Sequence, residues 1–428
     1  MPKALRALLK AFLAGALIAG LFAWGFAVER YKVFPIGLIR EVRARLGVPG
    51  WPVDIQSKSP AAAGLASIPY LHGQYDANAK ASGVLEDGRE AFPGLNFFST
   101  LGSGDAFLID DGGHSLWRWS LKRYFEPSEL KAADDFGFPH LFPNGDVLAY
   151  VAEKALFKLD RESGVVWKYP ARVHHDAFVA GDGRIWTLRH VFQSVPAIDP
   201  RYTCQLDEID VLSPEGRRER SIALLPILEK SPYAFLLPRT AGLPLPADTT
   251  TVDVLHSNHI EVFDGSLAAI SPFYRRGNFL ISLRNLNSIA IVDGETLKVL
   301  WLWGPTNLTL QHHPTILANG DILLFDNGTK ISAVVEVDPR TNAVVWRYAP
   351  LKGFFSYIRG ACQRLPNGDT LITLSMPGYA LEVTPAGKTV WKFANPAVSP
   401  AGIRDSIYRM TRFSPAGLPF VSSIPPRS

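Results

Sequence analysis

Beyond residue 90 the chain is written in short alternating apolar runs, each closed by Gly, Asp, Asn or Pro. Alternation with period two, broken by such residues, is the pattern of half-buried strands joined by tight turns. Two turn types recur. One is Asn-Gly-Asp or a relative: Ser103-Gly104-Asp105, Asn144-Gly145-Asp146, Asp182-Gly183-Arg184, Arg276-Gly277-Asn278, Asn319-Gly320-Asp321 and Asn367-Gly368-Asp369. Asn and Gly tolerate the positive φ that tight hairpins require. The second turn follows later in each unit, in IDDGGHSLWRW, LDRESGVVWKY, LSPEGRRERSI, VDGETLKVLWLW, VDPRTNAVVWRY and VTPAGKTVWKF. Five of these six are followed by a tryptophan: Trp119, Trp167, Trp303, Trp346 and Trp391.

Six units of one hairpin plan predict an all-β fold, a six-bladed β-propeller over residues 91–428. A pair of β-sandwiches would not need the same two turns six times. The first unit, residues 93–122, is one strand short, and the stretch from residue 405 is the candidate to supply it and close the ring. Residues 225–255 break the period and read as an apolar, Pro-rich insertion, and residues 29–90 read as a connector.

The amino end follows different rules. Residues 11–28 carry no charge and follow Lys3, Arg6 and Lys10, a length and flank that suit one transmembrane helix with residues 1–10 in the cytoplasm. A cleaved signal peptide ending near Ala23 or Gly25 is the alternative, and either way the chain after residue 30 is exported.

A composition of 47% hydrophobic and 20% charged residues excludes a disordered chain. The charge of +4, with both signs scattered, gives no nucleic-acid surface. Cys204 and Cys362 form no metal motif and are either one disulfide or two buried thiols. Gly387-Lys388-Thr389 imitates the end of a phosphate-binding loop, but Glu382 stands where that loop needs glycine. No cofactor motif is visible.

Six of the ten histidines lie in His174-His175-Asp176, His256-Ser257-Asn258-His259 and Gln311-His312-His313. His175 precedes Gly183 by eight residues, as His312 precedes Gly320, and His256 opens the intervening unit. Three consecutive blades therefore begin their inner strand with histidine, and equivalent strand ends meet at one mouth of the channel. Alternation turns the neighbours His174 and His313 the other way. Arg284, placed on the second strand of the His256 blade, needs an anionic partner when buried. That partner is an oxyanion ligand or a salt bridge to Asp253 or Glu261.

These residues resemble the arylsulfate sulfotransferase family of bacterial exported propellers, from about Ala91 to Tyr408. The motifs that carry the resemblance are Asp253-Val-Leu-His256-Ser-Asn258, Ile281-Ser282-Leu-Arg284, and Gln311-His312 followed by Phe325-Asp326-Asn327-Gly328. His174-His175-Asp176 and Ala106–Asp110 support it more weakly. His259, where the family more often has a small hydroxyl residue, and Pro314 depart from it.

The resemblance implies transfer of a sulfuryl group from a phenolic sulfate donor to a phenol acceptor, without nucleotide, cofactor or metal. His312 would be the nucleophile that forms a sulfohistidine, and His256 the general acid and base. His175 and Arg284 would bind the sulfuryl oxygens. It also implies a catalytic domain in the periplasm, held to the bacterial inner membrane by the helix. Phe354, Phe355 and Tyr357 are candidates for the aryl slot or for blade packing. Two other classes fit parts of the pattern. One is a metal-dependent propeller hydrolase, with the three histidines and Asp176 as ligands. The other is a non-catalytic envelope scaffold.

Overall fold

The computed structural model describes residues 54–57, 73–76 and 78–424, apart from 89, 102, 126–135, 242, 244 and 246–248. The propeller unit spans Val53–Arg239 and Pro246–Ser428. Met1–Pro52 and Thr240–Leu245 fall in a separate unit. The apolar stretch 11–28 lies outside the described residues, among which no helix is long and apolar enough to cross a membrane.

Six antiparallel sheets of the same plan follow one another along the chain. The second blade runs from its inner strand Phe136–Leu141 through Val147–Val151 and Ala155–Leu159 to the outer Val165–Tyr169. The third begins at Val173–Val179, the fourth at Ser257–Val262, the fifth at His312–Ile316 and the sixth at Ala361–Arg364. The first blade is built from both ends of the sequence. Its inner strand is the carboxyl-terminal Ile407–Phe413, which pairs with Leu95–Thr100. Asp105–Ile109 and Ser115–Ser120 complete it. The missing strand is thus supplied as the sequence suggests, with one correction. Because the inner strand comes from residue 407 onward, the Ser103-Gly104-Asp105 turn joins the second and third strands. In the other blades the Asn-Gly type of turn joins the first and second.

Burial explains why the strands read as they do. The second strands Val147–Val151, Phe279–Leu283 and Ile322–Asp326 are buried at every position, because each blade is covered on both faces by its neighbours. Clusters fill these interfaces. Leu108, Trp119, Ala149 and Phe157 lie between the first and second blades, and Ile289, Trp301, Leu324 and Val335 between the fourth and fifth. Each buried aliphatic side chain contributes about 1.5–3 kcal/mol relative to exposure. Outer strands such as Val165–Tyr169 lie mostly open to solvent.

The recurrent tryptophans are staples between blades. Trp117 donates Nε1–H to the Arg161 carbonyl at 2.7 Å, Trp167 to Pro214 at 3.0 Å, and Trp346 to Pro385 at 2.9 Å. Trp301 reaches Asn342 Oδ1 at 2.8 Å, and Trp391 reaches the Asp111 carbonyl at 3.1 Å. Each acceptor sits in the turn before the outer strand of the next blade. In two units the staple is therefore Trp117 and Trp301, two residues before Trp119 and Trp303. The latter pair fill the core, where Trp119 also donates to the Gly145 carbonyl of the second blade at 2.9 Å. Trp391 crosses from the sixth blade to the first and closes the ring, beside the buried contact of Arg412 with Glu382.

The connector is more structured than its sequence signals. Asp54–Ser57 pairs with Thr249–Asp253, which runs parallel to the third strand of the third blade. Gly73–Tyr75 pairs with Ile403–Asp405, and Gly83–Asp87 adds a fifth strand to the sixth blade. The insertion begins with a short helix, Leu224–Glu229. Cys204 and Cys362 are both buried free thiols.

Candidate active site

The inner strands of the third, fourth and fifth blades share one irregularity. Their pairing slips between His174 and Ala177, between Ser257 and His259, and between His312 and Thr315. Near each slip a histidine has left-handed backbone: φ is 56° at His175, 48° at His256 and 49° at His313. Such a conformation costs a non-glycine residue on the order of 1 kcal/mol or more, so the surrounding packing must impose it. The result is that these side chains escape strict alternation and turn into the channel.

His312 is the best-defined member. Its Nδ1 lies 2.7 Å from Asn327 Oδ1 and 2.9 Å from the Leu310 carbonyl. The Asn327 amide is itself oriented, because its Nδ2 donates to the Ser356 carbonyl at 2.8 Å and the Arg359 carbonyl at 2.7 Å. Its oxygen must then face the imidazole, and Nδ1 must carry the proton. Consistently, Nε2 accepts the Arg359 backbone N–H at 3.3 Å. Burial, and then the nearby Arg284 guanidinium, hold the His312 pKa well below the ordinary value. His312 is therefore a neutral imidazole with its lone pair on Nε2.

His256 is backed by a carboxylate, with Nδ1 2.5 Å from Asp253 Oδ2. Arg284 lies one residue beyond the second strand, Phe279–Leu283, at the start of the turn Arg284–Leu286. That turn is fastened to the His256 segment. Arg284 N–H donates to the His256 carbonyl at 3.2 Å, and Asn285 Nδ2 to the Asp253 carbonyl at 3.0 Å. The buried guanidinium donates from Nη1 to Asn285 Oδ1 at 3.0 Å.

The His175 ring packs 4.8 Å from that of His256. Its pKa is also pushed well down, by burial first and then by His256, His174 and His312. His175 and His312 line one cavity with Asn258, Arg359 and Tyr408. All four sequence-predicted site residues thus come together at one end of the inner strands.

Several other expectations change. His313 does not turn away but lines the same cavity, its ring 4.7 Å from that of His259. The pairing slip and the left-handed backbone at His313 break the alternation on which that expectation rested. His174, by contrast, does turn away from the cavity, toward His190 and Asp207, while its Nδ1 lies 2.8 Å from His175 Nδ1. Phe354 is blade packing, with ring contacts to Tyr348 at 5.1 Å and Phe325 at 6.1 Å, while Tyr357 is exposed. Asn327 and Arg359 join the site through their contacts with His312, and in the sequence only the Asp-Asn-Gly motif marks the first of them.

A metal centre finds little support in this geometry. Asp176, the carboxylate such an ion would need, lies 2.5 Å from His259 Nδ1 and 3.1 Å from Arg409 Nη2. Another group, His174, His190 and Asp207, is buried and close-set. However, the His174 and His190 rings are stacked 3.6 Å apart and 11° from parallel. An ion must lie near the plane of each ring whose lone pair it takes, and two stacked planes share no such point.

Comparison with known proteins follows the same direction as the site. The family model described as arylsulfotransferase (ASST) matches residues 138–396. No protein of curated function matches the sequence. Among solved structures, a protein of unknown function from Bacteroides caccae is similar at 14% identity and a TM-score of 0.47, over 75% of this chain and 99% of that one. A streptogramin B lyase is similar at 11% identity and a TM-score of 0.42, over 80% and 96%. Likenesses at that level bear on neither the fold nor the chemistry here. The family match takes in the inner strands of the third, fourth and fifth blades with all four site residues, and the chain belongs to the arylsulfotransferase family.

Proposed function

We propose that the protein moves a sulfuryl group from a phenolic sulfate ester to a phenol through a sulfohistidine at His312. The observation that carries this reading is the state of His312: neutral, with Asn327 on Nδ1 and the lone pair on Nε2. In the first half-reaction Nε2 attacks sulfur, the N–S bond forms and the S–O bond to the donor breaks. Arg284, close enough to His312 to depress its pKa, offsets charge on the sulfuryl oxygens. His256, oriented by the Asp253 carboxylate on its Nδ1, gives a proton to the departing phenolate. In the second half-reaction the phenol oxygen forms the new O–S bond, the N–S bond breaks with its electron pair returning to His312 Nε2, and the phenol's proton restores the one His256 gave up. We further propose that residues 11–28 anchor the chain in a bacterial inner membrane, with the propeller in the periplasm.

Incubation with a phenolic sulfate and no acceptor, followed by peptide mass spectrometry, tests the reading. The added sulfuryl mass is expected on His312, and His312→Ala is expected to lose both label and turnover. His313→Ala is expected to slow turnover less than roughly 10-fold, since its ring does not attack sulfur. Label on His313, or full activity in His312→Ala, would overturn the assignment. A non-catalytic scaffold would take no label at all.

A further inference from the structure

Behind His175 the third blade carries a buried network that the site chemistry described so far does not use. His174, His190 and Asp207 come from three adjacent strands of that blade and are all buried. Asp207 receives the Ser257 backbone N–H at 2.9 Å and the Ser257 hydroxyl at 3.0 Å, both on Oδ2. Its Oδ1 lies 3.3 Å from His174 Nε2 and 3.5 Å from His190 Nε2. The contact with His174 lies off the ideal hydrogen-bond line, but His174 Nε2 has no other hydrogen-bond partner among the described residues, whereas His190 Nε2 also meets Gln205 Nε2 at 3.1 Å. His190 is held from the other side by Glu153, which reaches toward solvent.

The proton positions follow from these contacts. Burial alone would raise the Asp207 pKa, but the His174 contact, His190 and the Ser257 N–H outweigh it and hold the group below its ordinary value, as an anion. Facing that anion, His174 Nε2 must carry hydrogen, since two lone pairs at this separation would repel. Burial and the neighbouring His190 lower the His174 pKa to about 4, so the ring is neutral and its Nδ1 is bare. The 2.8 Å contact between the Nδ1 atoms of His174 and His175 then requires the proton to sit on His175. The remaining nitrogen of His175, Nε2, is left as an acceptor.

We propose that Asp207 and His174 are a positioning pair that locks His175 as the Nδ1–H tautomer, making it the proton acceptor for the incoming phenol. This rests on the sulfuryl-transfer reading and changes one role within it. A bare Nε2 repels a sulfuryl oxygen, so His175 is the base of the second half-reaction and not an oxygen ligand. In that step the phenol O–H bond breaks and its proton passes to His175 Nε2. The O–S bond forms, the N–S bond to His312 breaks, and its electron pair returns to His312 Nε2. His256, which lost a proton to the first phenolate, recovers it from His175, whose ring centroid lies 4.8 Å away.

Asp207→Asn makes the test sharp. The Ser257 N–H must still meet an oxygen, so the asparagine NH₂ would face His174 and donate to Nε2. His174 would flip to its Nδ1–H form, and His175 would then carry its proton on Nε2. Nitrogen-15 spectroscopy of the full-length protein, labelled at histidine ring nitrogens, reads both states directly. The wild-type spectrum is expected to show His175 protonated at Nδ1, and Asp207→Asn to show it at Nε2. Discharge of labelled His312 by a weakly acidic phenol is expected to fall roughly 100-fold in the variant, the usual worth of a positioned base. A wild-type His175 protonated at Nε2, or an unchanged discharge rate in a variant whose tautomer has flipped, would overturn the proposal. If the variant does not fold, the wild-type spectrum alone decides. If donor alone leaves no label on His312, the sulfuryl-transfer reading fails, while the spectra still judge the pair.

Discussion

The outer rim of the propeller and the inner ends of its strands obey opposite rules. On the rim one device is repeated: Trp117, Trp167, Trp301, Trp346 and Trp391 each donate a hydrogen bond to a turn of the next blade. At the inner ends the pairing slips in five blades, and in three of them, the third, fourth and fifth, the backbone near the slip also turns left-handed at a histidine. Regularity on the rim is stability, because each staple ties one blade to the same turn of the next. Irregularity inside is chemistry, because histidines from three blades must face one volume, and strict alternation would send half of the side chains elsewhere.

The largest effect is expected where the irregular region is held by a single side chain. Asn327→Leu removes the oxygen that accepts from His312 Nδ1, while the Leu310 carbonyl remains at 2.9 Å. The tautomer is then only half secured, and turnover is expected to fall roughly 100-fold, less than the loss seen when an imidazole is forced into the wrong tautomer. Steady-state rates measure this. Unchanged turnover would mean that Leu310 alone sets the proton, and the inner end would be more robust than its geometry implies.

This contrast also explains what could be read in advance. The propeller, its six units and the carboxyl-terminal strand were legible because turns and alternating runs are local features. The convergence of His175 and His312 was legible because both stand eight residues before a turn glycine, and that of His256 because it opens the blade between them; Arg284 stood out as a charge in an apolar strand of that blade. The facing of His313 was not, since a pairing slip leaves no mark in an apolar-polar pattern. Nor was Asn327 legible as a hydrogen-bond partner, because its orientation depends on carbonyls of Ser356 and Arg359, some thirty residues further on. Which tryptophan of two makes the staple is not legible in two units, for a simpler reason. Trp117 and Trp301 have tryptophan two residues later, and one face of the strand cannot be told from the other until the bulge is known.

A second difference lies in how the inner end responds to pH. Glu261, on the inner strand of the fourth blade, accepts the Ile316 backbone N–H at 3.0 Å. Burial pushes its pKa up to about 8, with Asp176 and Asp264 adding to the shift and the Ile316 N–H opposing it. Between its ordinary value, 4.5, and about 8 the folded state holds a proton that the unfolded chain releases. Stability from this group is therefore full below that window and is lost as pH rises through it. Glu261→Gln keeps an acceptor for Ile316 and has nothing to titrate. Denaturant melts of the wild type are expected to weaken from pH 5 to pH 8. The variant should flatten that slope and gain on the order of 2 kcal/mol at pH 8, after allowing for partial solvent screening. Parallel slopes in the two proteins would show that Glu261 is ionised in the fold.

The smallest effect belongs to the rim, and it asks whether the repeat is as uniform in energy as in geometry. Trp391→Phe removes the Nε1–H that reaches the Asp111 carbonyl at 3.1 Å across the join between the sixth and first blades. The ring core is kept, with the stack on Phe393 and the Arg412 guanidinium 4.8 Å from the ring centroid. The lost hydrogen bond costs about 1 kcal/mol, and the smaller ring at a fully buried site adds a comparable cavity cost. Trp346→Phe removes the corresponding bond to Pro385, at 2.9 Å, within an unbroken stretch of chain and at a more exposed position. Its loss should be close to the hydrogen bond alone, about 1 kcal/mol. Neither change touches the histidines, so sulfuryl labelling should be unaffected in both. If Trp391→Phe costs several times more than Trp346→Phe, the non-covalent join is the weak interface of the ring. The buried Arg412–Glu382 contact would then be insufficient to close the ring without the staple. Equal costs would mean that the carboxyl-terminal strand makes the sixth interface as strong as the other five.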